Sequence, residues 1–144
     1  MRCRAILLSV FLCLFSGCDH SSIPLTSGKT LTASDWRDRV VIVTYWAGWC
    51  EQCHKEIPAL NAYYKKHQGD VLVLGVNFDG LRDLALKSLV AKMGIQFPVI
   101  NGPLLPFHVP RPDVLPVTYV LNKKNHHVAK TLMGPQLLEW LARQ

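Results

Sequence analysis

The sequence predicts a single α/β domain, built as a sandwich around a mixed sheet. Runs of β-branched and aromatic residues, typical of strands buried on both faces, alternate with segments of helical periodicity. A helical segment separates the first two runs, which indicates a parallel crossover, and a short polar turn joins the last two, which indicates an antiparallel hairpin. The length of 144 residues suits one compact domain.

The elements follow one another from residue 40 to the end of the chain. The predicted strands are 40–46, 71–78, 97–100, 117–121 and 128–133. The predicted helices are 53–67, 81–93 and 135–141, the last with Pro135 in its first turn. Residues 101–116 contain five prolines and no periodicity, so we predict a long loop there.

The first 17 residues are typical of an export signal, and 18–31 of a tether that leads loosely into a domain at 32–144. Two arginines precede an apolar stretch of about eleven residues, which is too short to span a bilayer because a spanning helix needs about 20. The ending LFSGC resembles the lipobox of bacterial lipoproteins, which implies lipidation of Cys18. Simple cleavage and an uncleaved anchor are the alternatives.

Five cysteines are encoded, but few of them stay available after export. Cleavage removes Cys3 and Cys13, and lipidation would block Cys18, so Cys50 and Cys53 remain as free thiols. The formal net charge is +6, which favours anionic lipid or acidic partners, and no nucleic-acid-binding motif is present.

The segment WAGWCEQC lies where a buried strand ends and a helix begins. Amides at a helix start have no intrahelical partner, and the helix dipole adds partial positive charge, so a thiolate is stabilised there. Cys50 is therefore the candidate nucleophile, because the thiolate is the form that attacks a disulfide. Cys53, three residues later on the same helical face, can then resolve a mixed disulfide.

The Cys50/Cys53 pair has two other possible roles. Half of a zinc site is one, but no second Cys-x-x-Cys or Cys-x-x-His supplies the remaining ligands. An inert structural bridge is the other, but so small a ring restrains the unfolded chain little. We predict no metal ligands and no cofactor.

From about Leu31 onward the sequence resembles the TlpA/ResA-type thiol:disulfide oxidoreductases, which are membrane-anchored proteins of the thioredoxin fold. The segments that carry the resemblance are VVIVTYWAGWCEQC, HKEIPAL, GVNFD, FPVI and LPVTYVLN. It implies a thioredoxin-like three-layer sandwich with a mixed central sheet and a strand–helix insertion near 78–100. It also implies that Cys50 is exposed, that Cys53 is buried, and that a cis peptide bond joins Leu115 and Pro116 beside them, where a substrate binds.

Three further positions bear on the chemistry. Glu56 matches an acidic residue near the cysteines of such proteins and could relay protons, although a solvated first-turn acid is the alternative. Thr44 stands where thioredoxin has a buried aspartate, which gives Glu56 more weight. We expect Trp49 to cover the disulfide and to contact a substrate.

The resemblance implies a reductant of exported protein disulfides, such as those of cysteines destined for haem attachment in cytochrome c maturation. It implies electron supply by a membrane thiol carrier of the DsbD/CcdA type. Asp19 after Cys18 resembles an inner-membrane retention signal, which predicts a lipid-anchored protein on the periplasmic face of the cytoplasmic membrane. A disulfide-forming oxidase, a copper-binding lipoprotein and a non-catalytic interaction module are the alternatives.

Overall fold

The computed structural model describes residues 22–103 and 105–144. In chain order the elements are β1 (Ile23–Pro24), β2 (Thr30–Leu31), α1 (Ala33–Trp36), β3 (Val40–Trp46), α2 (Glu51–Lys66), β4 (Val71–Asn77), α3 (Asp83–Lys92), β5 (Val117–Leu121), β6 (Val128–Leu132) and α4 (Pro135–Ala142). The main sheet has four strands in the order β4-β3-β5-β6.

Strand β3 lies at the centre of this sheet and fixes its mixed character. It pairs in parallel with β4 along its whole length, from Val40 opposite Val71 to Trp46 opposite Asn77. Its other edge pairs antiparallel with β5, which in turn pairs antiparallel with β6. The predicted crossover and the predicted C-terminal hairpin are both confirmed.

Both faces of β3, β4 and β5 are buried, as the continuous apolar run of β3 predicts, whereas the edge strand β6 is mostly exposed. On one face Ile42 and Trp46 pack with apolar residues of α2, α3 and α4. On the other face Val43 packs in a second cluster, which also contains Trp36 and Phe107. That second layer is formed by α1, the β1–β2 pair and the loop after residue 100, so the helices lie mainly on the first face.

The predicted strand at 97–100 is wrong. Only two isolated bridges form there, between Val99 and Gly75 and between Ile100 and Leu25. Pro98 has no amide to donate, so a regular ladder cannot continue through it. Its carbonyl still accepts a hydrogen bond from the Gly75 amide at 2.8 Å, which holds the segment against β4.

The predicted loose lead-in is also wrong for the residues that the structure describes. Ile23 and Leu25 are 1% and 6% exposed, and they belong to the second core cluster. The Thr26 amide donates to the Val99 carbonyl at 3.0 Å, which ties this segment to the domain. Burial of two large apolar side chains outweighs the flexible composition around them. The predicted signal peptide at 1–17 and Cys18 lie outside the described residues.

Within 22–103 and 105–144, no helix has both the length and the apolar character needed to span a bilayer.

We predict that Gly75→Ala destabilises the fold. A Cβ on Gly75 would lie 3.0 Å from the rings of Phe97 and Trp46 and from a methyl group of Val99, all of which are packed in the core. We expect the free energy of unfolding in urea to fall by about 1–3 kcal/mol, the usual cost of overpacking.

The matched control is Gly69→Ala, at an exposed position where a Cβ meets no atom within 4 Å. This change should leave the stability unchanged or raise it slightly, because alanine has less conformational freedom in the unfolded chain. Equal stabilities for the two variants would contradict the close packing around Gly75.

Candidate active site

The two cysteines lie at the junction between the central strand and the helix that follows it. Helix α2 begins at Glu51, two residues before its predicted start, because Cys50 is its N-cap. The Cys50 Sγ accepts a hydrogen bond from the Cys53 amide at 3.2 Å. The two residues form a disulfide with 5.3 Å between their Cα atoms. The Cys50 sulfur therefore lies against the unpaired amides of the first helical turn.

Both cysteines are almost fully enclosed in this disulfide form. Cys50 is 5% exposed and Cys53 is 2% exposed. The expectation of an exposed Cys50 beside a buried Cys53 therefore overstates the difference between them. The capping position turns the Cys50 sulfur back toward the helix amides, which removes it from solvent.

Glu56 is a buried carboxyl group one helical turn after Cys53. It is 2% exposed, and its Oε1 has no hydrogen-bond partner within the described structure. Burial raises the pKa of Glu56 from 4.5 to about 7, and hydrogen bonds to the Gln52 side chain and the Gly134 backbone offset only part of this effect. The alternative of a solvated first-turn acid is therefore wrong.

Cys53, Glu56 and Pro116 line the same narrow interior cleft, beneath the end of β3. Thr44 lines it as well, and its hydroxyl accepts a hydrogen bond from the Thr118 hydroxyl at 2.9 Å. Among the described residues that line this cleft, Glu56 is the one with a carboxyl group. A proton released inside it therefore has one carboxylate nearby as an acceptor.

The Leu115–Pro116 peptide bond is cis, as the resemblance implies. Pro116 precedes β5, whose first residue Val117 is opposite Tyr45 near the end of β3. This pairing holds the proline beside the cysteine helix. A substrate-binding role for Leu115 and Pro116 stays a prediction.

Trp49 is the most exposed aromatic residue beside the cysteines, with 66% of its surface accessible. Its Nε1 donates a hydrogen bond to Asp79 Oδ1 at 3.0 Å, and its ring contacts Phe78 edge-on at 6.2 Å between centroids. The Arg111 guanidinium lies 4.5 Å from the centre of the Phe78 ring. The indole is thus held in place by the segment that follows β4.

The contacts that hold the Trp49 indole in place were not predicted from the sequence. Phe78 and Asp79 lie in the segment GVNFD, for which no role was predicted, and Arg111 lies far along the chain within the proline-rich loop. The available signal was position, since the ends of parallel strands meet at one edge of a sheet.

In the described residues, no group of three His, Cys, Asp or Glu side chains is arranged to hold a metal ion.

Comparison with known proteins shows which family this chain resembles. Residues 19–126 match the AhpC/TSA family. The thiol-disulfide oxidoreductase ResA of Bacillus subtilis is 32% identical over 114 residues, which cover 76% of this chain and 61% of that protein. ResA of Bacillus thuringiensis subsp. konkukian is 28% identical over 118 residues, which cover 79% of this chain and 66% of that protein. The chain thus spans somewhat less than two thirds of these relatives, and they confirm the resemblance to the ResA type.

Solved structures confirm the thioredoxin-like fold. StoA from Bacillus subtilis aligns with a TM-score of 0.65 and 20% identity, covering 85% of this chain and 92% of that one. A DsbF homologue from Corynebacterium diphtheriae aligns with a TM-score of 0.66 and 24% identity, covering 85% and 82%. Together with a family match over most of its length, this fold shows that the chain belongs to the AhpC/TSA family of thioredoxin-fold proteins.

Proposed function

We propose that this protein is a thiol:disulfide oxidoreductase, which exchanges electrons with protein disulfides through Cys50 and Cys53. The observation that carries the proposal is the disulfide at the N-terminus of α2, where the Cys50 sulfur accepts a hydrogen bond from the Cys53 amide. Relatives named thiol-disulfide oxidoreductase ResA support it.

In the reducing direction, the Cys50 thiolate attacks one sulfur of the partner disulfide and forms a mixed disulfide. The partner's other sulfur leaves as a thiolate. The Cys53 thiolate then attacks the Cys50 sulfur, and a second partner thiolate leaves as the Cys50–Cys53 disulfide closes. Two electrons pass to the partner, whose two thiolates take up protons.

Glu56 acts in the second of these steps. Cys53 must lose its proton before it can attack, and Glu56 is the carboxylate in the cleft that Cys53 lines. With a pKa of about 7, Glu56 can accept a proton and release it again near neutral pH. The catalytic residues of the proposal are therefore Cys50, Cys53 and Glu56.

The finer parts of the proposal follow the resemblance. The protein acts as a reductant, with cysteines of cytochrome c maturation as its substrates, and a membrane thiol carrier of the DsbD/CcdA type reduces it. Trp49, Leu115 and Pro116 contact the substrate. Lipid on Cys18 holds the domain at the periplasmic face of the cytoplasmic membrane, which requires more than one acyl chain for stable attachment.

Three predictions test this proposed function, and the first separates the roles of the two cysteines. Cys50→Ser should reduce the turnover of insulin disulfides to the uncatalysed rate, because the attacking thiolate is lost. Cys53→Ser should instead accumulate a covalent mixed disulfide, which non-reducing electrophoresis detects, because nothing resolves it. Unchanged rates of disulfide exchange in both variants would contradict the assignment of this protein as an oxidoreductase.

The second prediction concerns the stability of the oxidised protein as a function of pH, since the cysteines do not titrate in that form. The pKa of Glu56 is about 7 when folded and 4.5 when unfolded, so between these values the folded state binds more protons. The ionisation of Glu56 should therefore contribute a fall of ~3 kcal/mol in the free energy of unfolding as the pH rises from about 4.5 to about 8.

Glu56→Gln should lose this pH dependence, because the glutamine side chain does not titrate. The matched control is Glu139→Gln, which changes an exposed carboxylate on α4 and should retain the wild-type profile. Urea titrations at several pH values measure the effect. A Glu56→Gln profile that runs parallel to the wild-type profile would show that Glu56 does not titrate as proposed.

The third prediction concerns the anchor. Full-length protein expressed in a Gram-negative bacterium should sediment with the membranes and incorporate labelled palmitate, because an acylated cysteine partitions into the bilayer. Cys18→Ala should abolish the label. Membrane attachment of the wild type with no incorporated label would contradict lipidation and favour an uncleaved anchor.

A further inference from the structure

A second cleft, of about 260 Å³, lies outside the cysteine site at the carboxyl end of β4. The residues that line it include Tyr45, Asn77, Arg82 and Arg111, and no carboxylate is among the described residues of its wall. Its volume suits a side chain or a small acid better than a cofactor. The wall therefore presents two permanent positive charges and further hydrogen-bonding groups.

Asn77 supplies an unpaired donor in this wall. The residue is 7% exposed, and its Oδ1 accepts a hydrogen bond from the Leu81 amide at 3.0 Å. Its Nδ2 is buried and has no partner within the described structure. A buried amide donor without a partner destabilises the fold, so a ligand that accepts a hydrogen bond from it would be favoured.

The arginines are not neutralised by neighbouring acids. Within the described residues, ion pairs form between Lys55 and Glu51 and between Arg143 and Glu139, and none involves Arg82 or Arg111. Asp113, two residues after Arg111, forms no ion pair within the described residues. The two aspartates near Arg82 in the sequence have other partners. Asp79 accepts from Trp49, and Asp83 exchanges hydrogen bonds with Asn101.

Arg111 also connects this cleft to the cysteines. Its guanidinium donates to the Phe78 carbonyl at 2.9 Å and lies over the Phe78 ring. The same ring contacts Trp49, which precedes Cys50. A polypeptide bound over Trp49 can therefore reach the cleft with a side chain.

We propose that this arginine cleft, formed by Tyr45, Asn77, Arg82 and Arg111, binds a carboxylate of the protein whose disulfide is exchanged at Cys50. This inference rests on the proposed function and adds a substrate class to it, namely disulfide proteins with an acidic residue near the reacting cysteine. Guanidinium groups pair with carboxylates through two parallel hydrogen bonds, which favours a carboxylate over a neutral amide. The positive net charge of the chain, +6, acts in the same direction.

The test uses the reduced full-length protein in a zwitterionic detergent, with disulfide-linked peptides as substrates. Glutamate is placed at successive positions around the peptide cysteine, and each peptide has a glutamine counterpart. We expect the best glutamate peptide to be reduced with a kcat/KM about tenfold above that of its counterpart. This ratio should shrink at high salt, because the arginines are exposed to solvent.

Arg82→Gln and Arg111→Gln should each lower the ratio toward one. The matched control Arg143→Gln removes the same charge from α4 and should keep both the ratio and the rate. Arg111→Gln also removes the contact with Phe78, so Arg82→Gln is the decisive variant if that loss alters the site. A wild-type ratio of one at every position, or a ratio that Arg82→Gln leaves unchanged, would overturn the proposal.

A calorimetric titration separates this inference from the redox function. Glutamate peptides with serine in place of cysteine cannot react, yet they should bind the wild type more tightly than their glutamine counterparts do. This binding would support the cleft even if no peptide were reduced, an outcome that would contradict the proposed function alone. Tighter binding of glutarate than of the peptide would assign the cleft to a free small acid and overturn the protein-substrate proposal.

Discussion

The capping of α2 by Cys50 is the interaction on which the rest of the site depends. Strand β3 is fixed on both edges, so its end cannot move relative to β4 and β5. The chain then turns and begins α2 at once, with the Cys50 sulfur accepting from the Cys53 amide. The paired strand thus sets where α2 begins, and the hydrogen bond from the Cys53 amide places the Cys50 sulfur against the first helical turn. The helix spacing then places Cys53 and Glu56 together on the inner face.

The interior of the site combines groups that would be unfavourable elsewhere in a core. Glu56 is buried with one oxygen unpartnered, and its neutral form is stabilised because none of the described residues that line the cleft is a cation. This arrangement costs stability at neutral and higher pH, where a buried carboxylate must ionise. The proposed proton exchange with Cys53 would give a functional reason for such a group. On the outer surface, the contacts of Phe78 with Arg111 and Trp49 connect the cysteine site to the arginine cleft, and we propose that both bind the same substrate chain.

The central strands can be predicted well from the sequence alone, because a continuous apolar run of this length is stable as a strand that is buried on both faces. Strands β3 and β5 have the predicted bounds, and the Cys-x-x-Cys pair lies at the predicted junction. The failures have local causes. Pro98 interrupts a run that otherwise reads as a strand, and Ile23 and Leu25 are core residues within a segment of flexible composition. The placement of Arg111 could not be predicted, because a proline-rich loop without periodicity gives no sign of where its side chains lie.

The central claim is that the helix start makes Cys50 the attacking sulfur. The most direct measurement is the rate at which each cysteine of the reduced protein is alkylated by iodoacetamide as a function of pH, with the products mapped by mass spectrometry. Cys50 should react faster than free cysteine at mildly acidic pH, where few ordinary thiols are ionised, while Cys53 stays largely protected. Alkylation of both residues at the rate and pH dependence of free cysteine would show that the helix start does not activate Cys50.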